Sequence, residues 1–402
     1  MTKASSTIRL AENDTVGVEV SCPPPVATAL TASGLVRLTP TADGTWRLTP
    51  CGRVGAVRMG GMDVVVTPKV GISRLLFLLG YAHDPGFRPE DVQGTDENDL
   101  WSAVAETLCR HTERALARGV LQGYNTVEDD LRHVRGRILL GKQIARHPGM
   151  LVPVEARYDT FTVDIPENRL LRTALKRMLA TPRLPLALRA RLRHFDAVLA
   201  GATPLTAGAP IPAWQATRLN HRYVPALRIA ELVLRYQSFE VGTGGLAIAA
   251  FVVNMATVFE NFIGSALREA WAHRPGRTRT QYPVSLDHDG TIRMKADVVH
   301  TVDGVPRIVA DAKYKLESST GQYPNADHYQ MLAYCTALNL PTAWLVYAHG
   351  LHGVRTRRVR HTDVEIVEYP IDLSAAPSAV LDQIDKLAMA AWVRSVPSAS
   401  TG

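Results

Sequence analysis

Three side chains stand where bare charge is costly. Asp297 lies inside an apolar run, Met294-Lys-Ala-Asp-Val-Val. Asp311 and Lys313 lie at the end of another, Ile308-Val-Ala-Asp-Ala-Lys-Tyr. Unpaired charge among buried strand neighbours carries a large desolvation cost, which a divalent cation would offset. Asp303-Gly304 is a turn signal between the two runs. With a three-residue loop over 303–305, Val302 pairs with Pro306 and Asp297 faces Asp311 directly. Such a cross-strand pair brings Cβ atoms to about 5 Å. Lys313, two residues on, projects from the same face as Asp311. With a two-residue loop the register slips by one, and the carboxylates part unless a bulge restores it.

Two carboxylates and a lysine on one face suit phosphodiester hydrolysis. Carboxylate oxygens hold Mg²⁺, with Mn²⁺ as a substitute, and the ion takes phosphate oxygens and waters as further ligands. A metal-bound water is more acidic and a better nucleophile. The lysine positions that water or neutralises developing charge. A lone Asp-x-Lys arises about once by chance in a chain of this length, and strand-end carboxylates also serve as surface salt-bridge partners. The neighbours therefore carry weight. Glu260 lies in the preceding helix, within Val258-Phe-Glu-Asn-Phe. Gln330 and Tyr334 lie four apart in His328-Tyr-Gln-Met-Leu-Ala-Tyr. That spacing puts both on one helix face, from which they can reach the same site. The plainer alternative is an amphipathic helix with Met331, Leu332 and Leu338 in the core.

The elements that must position these residues are legible in outline. Short alternating runs in the first seventy residues predict strands over 7–10, 16–20, 35–38, 45–48, 54–59 and 62–67. A small barrel or curled sheet would hide their edges. Helical periodicity predicts helices from Ser73 to Gly80 and over 98–118, 168–179, 186–199 and 223–236. An acidic stretch, 90–99, reads as a surface loop, 137–140 as strand-like, and 201–212 as the best linker. The last third predicts a helix over 249–272, strands over 293–301 and 307–312, and a helix over 326–338. Strands over 342–347, 354–360 and 364–369 and a closing helix over 379–393 follow.

Composition bounds the function. The chain has 402 residues and a formal net charge of +7. Residues 101–240 hold 21 basic and 12 acidic side chains, whereas 241–402 hold 15 of each. A concentrated cationic segment suits a polyanion such as nucleic acid, or is a solvated Arg-rich surface. The longest apolar runs, such as 246–255, fall short of the ~20 residues of a spanning helix, so no membrane partner is expected. Met1–Leu10 has no apolar leader core. Cys22, Cys51, Cys109 and Cys335 form no Cys-x-x-Cys pair and fit a reducing cytoplasm.

The order Glu260, Asp297, Asp311-Ala-Lys313, Gln330-x-x-x-Tyr334 resembles the PD-(D/E)xK nuclease superfamily in its RecB-like form, with Ala296 in place of the proline. More narrowly, Asp-Ala-Lys-Tyr-Lys followed by Tyr-Gln-Met-Leu-Ala-Tyr resembles the McrC family, the nuclease subunits of McrBC-type modification-dependent restriction systems. The likeness covers most of the chain. Val54-Gly-Ala-Val with Val66-Thr-Pro-Lys-Val, Leu131-Arg-His-Val-Arg-Gly-Arg-Ile, Tyr158-Asp-Thr-Phe-Thr-Val-Asp-Ile-Pro-Glu-Asn-Arg and Asn220-His-Arg-Tyr all resemble family segments.

The resemblance implies an α+β multidomain chain. Residues 1–72 would form a β-rich N-terminal domain, 73–240 a mostly helical basic region, and 241–402 an α/β PD-(D/E)xK endonuclease core. It implies a cytoplasmic Mg²⁺-dependent DNA endonuclease of phage and foreign-DNA defence. The partners would be a hexameric McrB-like AAA+ GTPase and modified double-stranded DNA. The chain has no Gly-x-x-x-x-Gly-Lys-[Ser/Thr] loop of its own. Asp297 and Asp311 would ligate metal, with the Ala312 carbonyl and Glu260 as further ligands. Lys313 would act on the water, and Gln330 and Tyr334 would orient DNA or Lys313. Arg132, Arg135 and Arg137 would touch DNA or the ring, or pair with Glu128, Asp129 and Asp130. Arg355, Arg357 and Arg358 would track DNA, or guard an edge strand. The alternative function is a non-catalytic adaptor that activates an AAA+ ring.

Overall fold

The computed structural model describes residues 6–59, 61–85, 87, 99–241, 247–315, 325–348 and 353–395, with the side chains of 239–241 and 247 left aside. Residues 90–98 of the acidic stretch lie outside these residues. The fold is mixed α/β, with several sheets and ten helices among the described residues. Compactness separates two units. One holds the described residues of Met1–Leu100 and Ala250–Gly402, and the other holds Trp101–Val241 with Ala247–Ala249.

The N-terminal part comprises β1 (Ser6–Ala11), β2 (Val18–Val20), α1 (Pro24–Ser33), β3 (Val36–Pro40), β4 (Trp46–Pro50), β5 (Arg53–Met59), β6 (Met62–Thr67) and α2 (Ile72–His83). In place of one small barrel or curled sheet, the strands divide between two sheets. β1 runs parallel to β6, and β6 pairs antiparallel with β5, while β2, β4 and β3 make a separate three-stranded sheet. The missed helix α1 has a sequence reason: a proline in its first turn and Gly34 in the left-handed conformation at its end. α2 buries Leu75 through Leu79 without a break.

The second unit begins with α3 (Leu100–Leu116), β7 (Gly123–Leu131), β8 (Arg137–Ile138), α4 (Leu140–Arg146) and β9 (Val154–Thr162). It continues with α5 (Pro166–Ala180), α6 (Leu186–Val198), α7 (Val224–Tyr236) and β10 (Gln237–Val241). Leu170, Leu171, Leu175 and Met178 of α5 are buried, as are Leu192 of α6 and Leu227 and Val233 of α7. Polar residues fix this helical core. Asn168 donates to the carbonyls of Leu121 and Val163. Asn220 donates to Glu167, and the Tyr223 hydroxyl accepts the Leu121 N–H. Arg169 grips Asp164 through two nitrogens, at 2.7 and 2.6 Å, and holds its carboxyl down at about 2. The sheet β7-β9-β8 carries α4, which has no buried residue.

The C-terminal part comprises β11 (Ala247–Asn254), α8 (Met255–Ala270), β12 (Arg277–Ser285), β13 (Arg293–Val302), β14 (Val305–Lys313) and α9 (Asn325–Leu338). After these come β15 (Thr342–Tyr347), β16 (Arg355–Arg358), β17 (Glu365–Pro370) and α10 (Pro377–Ser395). The helix expected over 249–272 begins only at Met255. Phe251-Val-Val favours extended chain, and Asn254 caps the helix by accepting the N–H groups of Ala256 and Thr257. Six strands form one sheet in the order β12-β13-β14-β15-β17-β16. β14, β15 and β17 run parallel and the other pairings are antiparallel. Val309 of β14, Ala343 and Leu345 of β15 and Ile366 of β17 form a core with Met331, Tyr334 and Cys335 of α9. No helix among the described residues is long and apolar enough to cross a membrane.

Candidate active site

The β13–β14 connection is a two-residue turn, with Asp303 at φ 53° and Gly304 at φ 79°. Positive φ at both positions fits a tight hairpin whose twist matches its strands. Val302 therefore pairs with Val305 and Thr301 with Pro306, not Val302 with Pro306. Taken alone, that register would send the two aspartates to opposite faces. A bulge between His300 and Thr301 cancels the slip, because His300 pairs with Ile308 and leaves Arg307 over. Val299 then faces Val309 and Val298 faces Ala310. The next positions on this ladder are Asp297 and Asp311.

Asp297 is held from two sides. Its Oδ2 accepts the backbone N–H of Ala312 at 2.9 Å, and its Oδ1 accepts Gln281 Nε2 at 3.1 Å. Gln281 is a functional neighbour that the sequence reading missed. It has φ 52° and lies opposite Asp297, between the pairs Thr280–Val298 and Tyr282–Ala296, where the ladder is interrupted without a change of register. A glutamine in a polar strand gives no sequence signal of such an interruption.

Asp311 is the most enclosed charge of the group, at 1% exposure. Lys313 Nζ is its ion-pair partner, yet neither carboxylate oxygen has a hydrogen bond of proper geometry. Burial first, and then the charge of Asp297, push its carboxyl up to about 7, against the pull of Lys313. Burial works to lower the Lys313 ammonium, but Asp311 and Asp297 outweigh it and raise it above the usual lysine value. Lys313 is therefore a cation at neutral pH. Glu260, half-buried on α8, is raised by burial and then by Asp297, while Lys313 lowers it. The structure thus brings Glu260, Asp297, Asp311 and Lys313 into one electrostatic neighbourhood.

Gln330 and Tyr334 act one step removed. The Tyr334 hydroxyl donates to the Lys295 carbonyl at 2.6 Å and accepts Gln330 Nε2 at 2.8 Å. The pair pins β13 two residues before Asp297. Burial, followed by the Asp311 charge, raises the Tyr334 phenol to about 12, so it keeps its proton and its donor role. Ala312 offers its N–H to Asp297.

The arginines divide. Arg135 stacks over the Tyr158 ring at 3.8 Å and donates to Thr160. Gly136 beside it has φ 75°, and a Cβ there would lie 2.2 Å from the Arg157 carbonyl oxygen, so glycine is required. The expected pairing of Arg132, Arg135 and Arg137 with Glu128, Asp129 and Asp130 does not form. Glu128 binds Lys142 and Arg157 instead, and His147 lies at Asp130. β16 is an edge strand. Arg357 pairs with the buried Glu368, which also accepts from His328, and Arg358 pairs with Glu365.

These residues suit a divalent ion. Asp311 offers two buried oxygens that face Lys313 without a hydrogen bond of proper geometry, Asp297 stands across the ladder, and the ligand atoms are all oxygen, as a hard cation prefers. The set fits Mg²⁺ or Mn²⁺. Among the described residues another trio, Asp130, His147 and Glu155, also brings potential ligand atoms together, within 4.8 Å of one another. There Arg146 already occupies Glu155 at 2.9 Å.

The acidic, lysine-bearing centre thus sits on a mixed sheet, at the β13–β14 ladder. The chain belongs to the McrBC 5-methylcytosine restriction system component family, whose model matches residues 48–348. Its fold is similar to a chain in the refined half-complex from a tetradecameric assembly of Thermococcus gammatolerans McrB AAA+ hexamers with bound McrC. Identity is 16%, coverage is 95% of this chain and 99% of that chain, and the TM-score is 0.61. A chain of the Thermococcus gammatolerans McrBC complex also matches, at 19% identity over 66% of this chain and 88% of that chain, with a TM-score of 0.41. No curated protein matches.

Proposed function

We propose that this chain is the Mg²⁺-dependent DNA endonuclease subunit of an McrBC-type restriction complex, with a PD-(D/E)xK centre built from Asp297, Asp311 and Lys313. The observation that carries this reading is the bulge-corrected ladder that sets Asp297 across from a buried Asp311 paired with Lys313. Asp297 and Asp311 would hold the ion, with Glu260 and the Ala312 carbonyl completing its shell. When bound, the ion supplies a more acidic water and an electrophilic contact to the scissile phosphate. Lys313, kept protonated by Asp311, orients the attacking water and stabilises charge on the phosphoryl oxygens. Water gives up a proton to solvent as it adds to phosphorus, the P–O3′ bond breaks, and the leaving oxygen takes a proton from solvent. Tyr334 and Gln330 keep β13 in register, and Gln281 keeps Asp297 aimed.

The partner would be an McrB-like AAA+ GTPase hexamer, and the substrate double-stranded DNA carrying modified cytosine. The family membership and the fold likeness support this. So do Leu140 and Ile144 of α4 and Leu151 ahead of β9, which are exposed in the same segment as the exposed Arg132 and Arg137. Exposed apolar residues gathered in one short segment suit a protein contact. The test is DNA cleavage by the full chain with an McrB-like protein from the same source, GTP, Mg²⁺ and 5-methylcytosine DNA. Asp311→Ala and Lys313→Ala should each abolish cleavage while stimulation of GTP hydrolysis persists. Retained cleavage in both would refute the site. A wild-type chain that stimulates GTP hydrolysis without cutting would favour the adaptor reading.

A further inference from the structure

We propose that Glu12, far away in sequence, is a positioning residue of the nuclease centre: its hydrogen bond to Tyr314 fixes the peptide that carries Lys313. The inference rests on the nuclease reading above. Tyr314 OH donates to Glu12 Oε2 at 3.0 Å, across 302 positions of sequence. Glu12 is itself tied down. Its N–H donates to the Thr67 carbonyl at 3.1 Å, extending the β1–β6 ladder, and its carboxylate lies 3.5 Å from the Lys69 N–H, just past β6. The acceptor is thus anchored to the N-terminal sheet by backbone bonds.

Tyr314 occupies the corner of the chain immediately after Lys313. The Lys313 carbonyl accepts the Lys315 N–H at 2.9 Å, which closes a tight i to i+2 turn around Tyr314. The same carbonyl accepts the Ala348 N–H at 3.2 Å. A shift of the Tyr314 backbone would therefore turn the Lys313 peptide. On one side the ring meets Phe259, the residue before Glu260, at 6.2 Å between centroids. Tyr314 also borders a cleft of about 200 Å³, lined by Lys69, Val70, Lys315 and Leu373. The bond to Glu12 restrains the ring at the edge of this cleft.

The consequence is that the lysine's aim depends on a residue of the N-terminal sheet. Tyr314 touches neither the ion's ligands nor the reacting atoms, so its loss should lower turnover and spare DNA affinity. A misplacement near 1 Å costs up to about 100-fold. The test measures kcat and KM for DNA cleavage by the full complex, with thermal melting alongside. Tyr314→Phe and Glu12→Ala should each lower kcat about tenfold or more with KM unchanged. Glu12→Gln, which keeps an acceptor oxygen, should restore most of kcat. The double variant should be no worse than either single, because the two changes break one interaction.

Asp311→Ala serves as the control. If it is inactive while Tyr314→Phe and Glu12→Ala cut within twofold of wild type, the positioning role is refuted and the nuclease centre stands. If the double variant's losses multiply, or kcat follows melting temperature across the set, the role is refuted in favour of general stability. If Asp311→Ala still cuts, it is the nuclease reading that falls.

Discussion

Asp297 Oδ2 accepts the N–H of Ala312 at 2.9 Å, so one carboxylate of the pair is bonded to the peptide next to the other. This contact fixes the spacing between β13 and β14 where the charges meet. Asp311 lies buried beside Asp297, with Lys313 as its ion-pair partner. Two carboxylates against one lysine leave a surplus of negative charge, which is costly to bury and suits a cation.

Replacing Asp297 by Asn keeps an oxygen for the Ala312 N–H and removes one charge. Cleavage should fall by about 100-fold or more, within the range seen when one electrostatic contact to a transition state is lost. The chain should stay folded, which circular dichroism checks. Gln281→Ala should reduce cleavage less, because the Ala312 N–H still holds Asp297.

Asp311 makes stability depend on pH. Its folded carboxyl titrates near 7, whereas an unfolded aspartate titrates near 4. Between those values the folded chain binds a proton that the unfolded chain has released. Stability therefore falls as pH rises from about 4 to about 7, and this group adds no further change above that. Asp311→Asn removes the titration, so its melting temperature relative to wild type should climb between pH 5 and pH 8. Protons and the cation compete for the same oxygens. At limiting Mg²⁺, cleavage should rise as pH passes about 7, and saturating Mg²⁺ should move that rise to lower pH.

Tyr334→Phe would leave the Lys295 carbonyl and the Gln330 amide without their partner. A buried group left unsatisfied costs about 1–3 kcal/mol. Chemical denaturation should show a loss of that size, and cleavage should fall through the shifted β13. Gln330→Ala removes only the outer bond and should cost less by both measures.

Much of this arrangement is legible in the sequence, for identifiable reasons. Met62–Thr67 and Thr342–Tyr347 are dense in β-branched or apolar residues, and their strands fall where the pattern places them. Gln330 and Tyr334 share a helix face as their spacing requires, and they bond to each other. What stays hidden is non-local or polar. β12 has exposed polar positions along most of its length, and β7 is acidic, so neither shows hydrophobic alternation. The bulge at His300 has no local signature. It follows from a histidine held by Thr278 and the Pro275 carbonyl, between Trp271 and Trp392. The Glu12–Tyr314 bond spans nearly the whole chain, and no short pattern carries it.

Arg132 and Arg137 are exposed in the segment that also shows Leu140, Ile144 and Leu151. Replacing both arginines by alanine should leave the melting temperature nearly unchanged, since exposed side chains cost within about 0.5 kcal/mol. Stimulation of the partner's GTP hydrolysis should drop severalfold, as a titration of partner against chain would show. Arg135→Ala should also loosen the segment, because it removes the stack on Tyr158.

The Asp297–Asp311 pair is proposed to take a divalent ion. Manganese binding to the full chain, followed by electron paramagnetic resonance at pH 8, tests it most directly. Wild type should bind Mn²⁺, Asp311→Asn should lose that binding, and His147→Ala, which disables the trio with Asp130 and Glu155, should keep it. Binding that survives Asp311→Asn, or that disappears in His147→Ala, would contradict the claim.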